Sequence, residues 1–175
     1  MNNNELAEKM KVVLASCFAL YLKSHSYHWN ITGSNFPQLH TLFGDQYEEL
    51  HDAIDVTAEV IRTLEVFVPG SFGELTALSV VESSSGVPAD QKMVETLVAD
   101  HQKIIDLLTE TLSIANRVNA QGVANHLGDR IEAHEKHQWM LRSTAKQITG
   151  VNDMSDDLLQ ILKNAGLVQI PYTAS

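Results

Sequence analysis

Apolar residues recur every three or four positions through most of this 175-residue chain. That interval is the period of one face of an α-helix, whereas the period of two that marks a β-strand is scarcely visible. In the first segment the apolar positions are Leu6, Met10, Val13, Cys17 and Leu20. The pattern therefore predicts an all-α protein whose first helix runs from about residue 4 to residue 31.

A short run of turn residues, TGS at positions 32–34, ends this first predicted helix. Asn35 then supplies a cap, Pro37 an early helical proline, and Gln38 an amide three residues after the cap. A second helix is therefore predicted from near Phe36 to about residue 65, where the sequence VFVPGSFG breaks the apolar pattern.

Residues 66–89 contain many proline, glycine and serine residues and predict a long connection. Within it, Ser71 and Glu74 have the spacing of a capping box, which predicts one short helix. Asp90 is predicted to cap a third long helix, which Gly122 separates from a fourth.

The fourth helix is predicted to end at Gly150. A weaker helical stretch near residues 155–164 and an irregular tail follow, and the role of residues 151–175 stays open. Four long helices with two short turns and one long middle connection predict a ferritin-like four-helix bundle, with a crossover between helices two and three. Residues 1–175 are predicted to form a single domain.

The chain carries 22 acidic against 12 basic residues, a formal net charge of −10 at pH 7. Repulsion from this charge disfavours nucleic acid as a partner, and attraction favours cations. An acidic surface is also typical of proteins that it simply keeps in solution, so both interpretations stay open.

No stretch approaches the roughly 18 to 20 uninterrupted apolar residues of a membrane helix. The opening MNNNELAEKM lacks the basic-then-apolar order of a secretory signal. The single cysteine, Cys17, excludes an internal disulfide and suits a reducing compartment. A cytoplasmic protein without membrane contact is therefore expected.

A di-iron site inside a ferritin-like bundle takes a glutamate from each of two helices and a Glu-x-x-His pair from each of the other two. Only Glu48 and His51 have that pair spacing, and the first helix has no acid between Glu8 and His28. The sequence therefore does not supply the ligands of a site within the bundle.

A different set of metal ligands surrounds the first turn. An antiparallel hairpin brings His28 and His40 to about the same height, and Asp55 lies four residues before Glu59 on one helix face. The fifteen residues from His40 to Asp55 leave about 60° between their directions but about 22 Å along the helix axis.

One subunit alone therefore cannot close this site, whereas two antiparallel copies of helix two can bring His40 of one beside Asp55 of the other. Imidazole and carboxylate ligands suit iron or zinc, and fewer than four firm ligands leave positions open for water or an oxidant. The alternative is that the histidines are ordinary interface residues and the carboxylates a solvated surface.

The stretch HWNITGSNFPQLH followed by DAIDVTAEVIRTL resembles the Dps family, the mini-ferritins named as DNA-binding proteins from starved cells. EKHQWMLR in helix four is similar to the family's motif there, and the resemblance covers about residues 5–150. It implies a homo-dodecameric shell of tetrahedral symmetry with ferroxidase sites at two-fold interfaces. His28 and His40 then come from one subunit and Asp55 and Glu59 from its partner, with Glu59 bridging two irons.

The activity implied by the resemblance is oxidation of Fe(II), preferentially by hydrogen peroxide, with ferric mineral stored in the cavity. Removing both reagents limits hydroxyl-radical formation and so protects against oxidative stress. Zinc is a substitute for iron at the same ligands, and Trp29 is expected to pack beside the site.

The chain departs from the family pattern in three places. Gly44 stands where many members carry an aspartate, with Asp45 about 100° away, so the second iron site is weaker or completed by water. The pore segment at the start of helix four has few acids; it reads Gln121, Asn125 and His126 before Asp129. The ends are poor in lysine, so DNA binding is expected to be weak or absent at physiological salt.

Two other functions compete with iron oxidation and storage. One is a shell that protects DNA by binding it, with the metal site subordinate; the net charge argues against it. The other is a metal-free helical interaction protein, in which the four candidate ligands are coincidental.

Overall fold

The computed structural model describes residues 3–83 and 85–164, with side chains for residues 4–83 and 85–145. Those residues form five helices and no strand, which confirms the all-α prediction. The helices are α1 (Asn3–Asn30), α2 (Phe36–Thr63), α3 (Phe72–Leu78), α4 (Asp90–Arg117) and α5 (Gln121–Asn164).

The four long helices pack as two hairpins. Short links join α1 to α2 and α4 to α5, so each pair runs antiparallel, and α1 also packs against α4. Asn35, just before α2, donates its Nδ2 proton to Oδ2 of Asp90 at the start of α4, over 3.1 Å. Because α2 and α4 begin at the same end, their connection must return along the bundle, and α3 packs against α1 on the way.

The apolar stripes meet in one core. The five positions of the first predicted stripe are all buried. The largest fully buried side chains come from all four long helices and include Leu6, Met10, Phe43, Leu50, Leu97, Leu108 and Leu127. Burial of such side chains stabilises the fold by roughly 1.5 to 3 kcal/mol each, before the entropy of ordering them is subtracted.

The predicted helix caps have different outcomes. The capping box is confirmed, because Ser71 Oγ accepts from the Glu74 amide at 3.3 Å and Glu74 Oε2 from the Ser71 amide at 3.1 Å. Asn35 holds the predicted N-cap position, with the proline in the first turn, but its side chain makes no cap hydrogen bond. Asp90 is the first residue of its helix, with Ala89 as N-cap. Asn35 and Asp90 bond to each other instead.

The prediction that the last long helix ends at Gly150 is wrong, because α5 continues to Asn164. An isolated glycine inside a helix costs only about 1 kcal/mol relative to alanine. No proline follows it before the end of α5 to break the helix. The predicted tail beyond residue 164 lies outside the described residues.

Within the described ranges, no helix has the length and apolar character needed to cross a membrane.

A buried ion pair between α1 and α4 gives the first testable prediction. Lys23 Nζ lies 2.5 Å from Asp100 Oδ2, and both side chains are less than a tenth exposed. Replacement by Lys23→Ala leaves a buried carboxylate whose one remaining ion pair, among the described residues, is with Lys103 at 3.4 Å. The expected loss in free energy of unfolding is roughly 3 to 5 kcal/mol, measured by urea denaturation.

Lys9→Ala is the matched control for this measurement. It removes the exposed ion pair between Lys9 and Glu110, which joins the same two helices. Exposed ion pairs contribute less than about 1 kcal/mol. Equal losses for the two variants would contradict the prediction.

Candidate functional site

His28 at the end of α1 and His40 at the start of α2 lie face to face. Their ring centroids are 3.7 Å apart and the ring planes differ by 22°. His28 Nδ1 donates to the backbone oxygen of His40 at 2.7 Å, and His40 Nδ1 donates to the backbone oxygen of His28 at 2.9 Å. The two residues therefore hold each other in place across the turn.

These bonds decide which nitrogen of each ring is available. A backbone oxygen can only accept, so each Nδ1 carries a proton, and in the neutral ring the lone pair is on Nε2. Metal-bound histidines usually donate their other nitrogen to a carbonyl or carboxylate in this way. The pair is thus in the form that ligates a metal ion through Nε2.

Aromatic rings pack around this pair. The His25 ring stacks on Tyr47 with centroids 3.9 Å apart, and Trp29, which is 61% exposed, lies 4.1 Å from His25. Desolvation lowers the pKa of His25, and electrostatic interaction with His28 and His51 lowers it further. Sequence reasoning missed His25, although its position three residues before His28 places both on one side of α1.

Gly44 lies directly under the His28 ring. A Cβ atom at this position would come within 3.3 Å of both Cε1 and Nδ1 of His28, which is tighter than ordinary contact. The missing side chain therefore makes room for the histidine, and position 44 offers no ligand of its own.

The other two predicted ligands lie elsewhere on α2. Asp55 and Glu59 are exposed, and Asp55 is about 22 Å further along the helix axis than His40. In the described part of one chain, no three side chains of histidine, cysteine, aspartate or glutamate lie close enough to hold a metal ion. The structure brings the two histidines together, and it does not bring the two carboxylates to them.

The Glu48–His51 pair is also exposed on α2 and does not face the bundle interior. The Tyr47 hydroxyl donates to Glu48 Oε1 at 3.4 Å, and His51 Nδ1 lies 3.5 Å from Asp52 Oδ1.

A polar network that sequence reasoning missed occupies the bundle interior. Glu49 of α2 accepts hydrogen bonds from Arg130 and from His137 Nε2, the latter at 3.1 Å. Nearby, His101 Nδ1 and His134 Nδ1 are 2.9 Å apart. The Glu49 carboxylate is thus committed to an arginine and a histidine of α5.

The network holds its groups in defined charge states. Burial lowers the pKa of His101 to about 3 and that of His134 well below its usual value. Burial also raises the pKa of the Cys17 thiol to about 11. Burial opposes ionisation of Glu49, but hydrogen bonds from His137 and Arg130 outweigh it and hold its pKa well below the usual range. The interior therefore contains neutral histidines and a neutralised carboxylate.

Comparison with known proteins shows which family has this architecture. The model of the Ferritin family, a ferritin-like domain, matches residues 7–151. A low temperature-induced protein of Nostoc sp., described as uncharacterized, is 37% identical over 132 residues, which is 74% of each chain. The DNA protection during starvation protein of Brevibacillus brevis is 30% identical over 131 residues, 74% of this chain and 87% of that protein.

A solved structure agrees with these relatives. The Dps protein of Vibrio cholerae O1, described as a member of a broad superfamily of ferritin-like diiron-carboxylate proteins, superposes with a TM-score of 0.78. The match has 27% identity and covers 81% of this chain and 89% of that one. Four long helices with a crossover, and a family match over most of the chain, define a ferritin-like protein. Within that class the chain belongs to the Dps family, as its motifs predicted.

The buried histidines make stability depend on pH. Their pKa values are lower in the folded state than the usual 6.5, so between pH 6.5 and about 3 the unfolded chain binds more protons than the folded one. Stability is fully present above this window and falls as the pH is lowered through it, by roughly 1.4 kcal/mol per pH unit for each group. We expect His101→Gln to flatten this slope in urea unfolding between pH 7 and about pH 4.

Tyr27→Phe, a substitution of another buried residue that removes no histidine, controls for a general loss of stability. It is expected to keep the wild-type dependence of the free energy of unfolding on pH, even if it changes that free energy at neutral pH. An unchanged slope in His101→Gln would show that the buried histidine does not carry the effect.

Proposed function

We propose that this protein is a ferroxidase and iron-storing mini-ferritin that oxidises Fe(II) at sites shared between two subunits. The observation that carries the proposal is the reciprocal anchoring of His28 and His40, which leaves two Nε2 lone pairs side by side. Core packing alone does not require that both rings have the same tautomer and nearly parallel planes.

The remaining ligands are assigned to the partner subunit. Asp55 and Glu59 are exposed, and within the described residues neither makes a hydrogen bond or ion pair. Two α2 helices packed antiparallel about a two-fold axis set His40 of one opposite Asp55 of the other. Each dimer then has two equivalent sites, with His28 and His40 from one protomer and both carboxylates from its partner.

This ligand set suits the oxidation of Fe(II) as substrate. Imidazole and carboxylate ligands bind iron, and an incomplete shell leaves room for the oxidant. Two Fe(II) ions each give up one electron, and hydrogen peroxide accepts both electrons with two protons to form two water molecules. Glu59, four residues beyond Asp55, is placed to bridge the two ions.

The proposed assembly is a dodecameric shell that stores the ferric product and protects the cell against oxidative stress. It works in the cytoplasm, where the buried Cys17 stays a free thiol. The proposal does not include tight DNA binding, because the formal net charge is −10 and repels a phosphate backbone. Zinc is expected to occupy the same ligands without being oxidised.

The double substitution His28→Ala with His40→Ala tests the site directly. We expect it to slow iron oxidation by at least roughly tenfold, because even partners of metal ligands typically contribute that much. The rate is followed by ferric absorbance after Fe(II) and peroxide are mixed without oxygen. Gln38→Ala with Thr41→Ala, both exposed beside His40 on α2, is the matched control. If the double variant assembles into intact shells and still oxidises iron at the wild-type rate, this site is ruled out.

Mixed shells test whether the ligands come from two subunits. His40→Ala and Asp55→Ala shells should each oxidise iron more slowly than the wild type, since every site lacks one ligand. When the two variants are co-assembled at random, about a quarter of the sites combine an intact His40 with an intact Asp55 and regain activity. Mass spectrometry verifies the mixing, and verified mixed shells with no recovery would exclude shared ligands.

A further inference from the structure

We propose that His51 of the partner subunit ligates the second iron, in the place that Gly44 leaves without a side chain. This inference rests on the shared site described above and adds a ligand to it. It follows from the position of Gly44, the register of the two α2 helices and the exposure of His51.

Position 44 cannot supply a ligand from its own chain. Gly44 lies one helical turn beyond His40 and has no side chain, and a Cβ there would come within 3.3 Å of the His28 ring. The neighbouring Asp45 points about 100° away from this direction. A second metal ion on this side of His40 therefore needs a ligand from another part of the assembly.

The proposed register identifies that ligand. When His40 lies opposite Asp55, four residues forward from His40 match four residues back from Asp55 in the antiparallel partner. Gly44 of one protomer therefore lies opposite residue 51 of the other. Residue 51 is about 6 Å from Asp55 along the helix axis, on the side toward the two-fold axis.

The direction of residue 51 on α2 also fits. At about 100° per residue, it lies about 20° from His40 and about 40° from Asp55, between two proposed ligands. Asp52 is about 120° from His40 and points away from this sector. His51 is thus the side chain that the helix places on the shared face at the height of Gly44.

The His51 imidazole is free to act as a ligand. Its side chain is 68% exposed, and Nδ1 lies 3.5 Å from Asp52 Oδ1. Within the described residues Nε2 has no hydrogen-bond partner. A carboxylate at one ring nitrogen and an open second nitrogen is the usual arrangement of a metal-binding histidine.

An imidazole in place of a carboxylate changes the charge but not the number of ligands. The second iron keeps the bridging Glu59 and gains a neutral nitrogen donor. Paired metal ions in such sites lie about 3.5 to 4 Å apart, so a ligand one turn from Asp55 suits the second ion and not the first.

Anaerobic titration with Co(II), which the protein does not oxidise, tests the assignment by counting ions. The visible absorbance of bound Co(II) is expected to saturate at about two ions per site in the wild type and at about one in His51→Ala. His51→Glu, which restores a metal-binding side chain, should return the count to about two. Asp45→Ala is the matched control and should also bind about two.

Mixed shells of His40→Ala and His51→Ala show which chain supplies the ligand. If His51 acts across the interface, about a quarter of the sites regain both ions, because one site of each mixed pair keeps both histidines. If His51 served its own chain's site, no site would recover fully. That second result would overturn the proposal.

The outcomes separate this inference from the function it rests on. A wild-type shell that binds no Co(II) would overturn the shared site and the inference together. If the wild type and His51→Ala both bind two ions per site, the role of His51 is overturned but the shared site is not. Loss of one ion in Asp45→Ala would have the same meaning. Light scattering checks that each shell is intact, and His51→Gln replaces His51→Ala if that variant does not assemble.

Discussion

The proposed chemistry depends on two short hydrogen bonds across the α1–α2 turn. His28 and His40 each donate Nδ1–H to the other's backbone oxygen, so the loop that joins the helices and the orientation of both rings are set together. In the neutral form of each ring these bonds place the proton on Nδ1 and leave the lone pair on Nε2. Gly44 completes the arrangement, because a Cβ atom at this position would make a tight 3.3 Å contact with the His28 ring.

The interior of the bundle explains why the candidate site lies at the surface. Di-iron proteins with a ferritin-like fold place their metal ions among inward-facing glutamates and histidines. Here Glu49 is held by Arg130 and His137, and His101 bonds to His134 without a carboxylate partner. A guanidinium in the centre repels a metal cation. The network therefore stabilises the contact between the two hairpins, and the proposed metal site lies on the outer face of α2 instead.

Local patterns predicted the helices well because their causes are local. The apolar period predicted α1 and α2 to within about two residues, and the Ser71–Glu74 spacing predicted the start of α3. A tertiary contact accompanies the capping errors: the Asn35 side chain bonds to Asp90 on another helix, so neither side chain caps its helix as predicted. The meeting of His28 with His40 followed from hairpin geometry, whereas the stacking of His25 on Tyr47 and the partners of Glu49 come from positions that no local spacing links to them.

The separation between His40 and Asp55 has a consequence for the life of a newly made subunit. Ferric iron is insoluble at neutral pH, so it precipitates in solution unless it forms inside a protein shell. On the proposed arrangement an isolated subunit holds only half of the ligands, so it cannot begin the oxidation. Catalysis starts when subunits pair, and the cage that receives the precipitate is built from those same pairs.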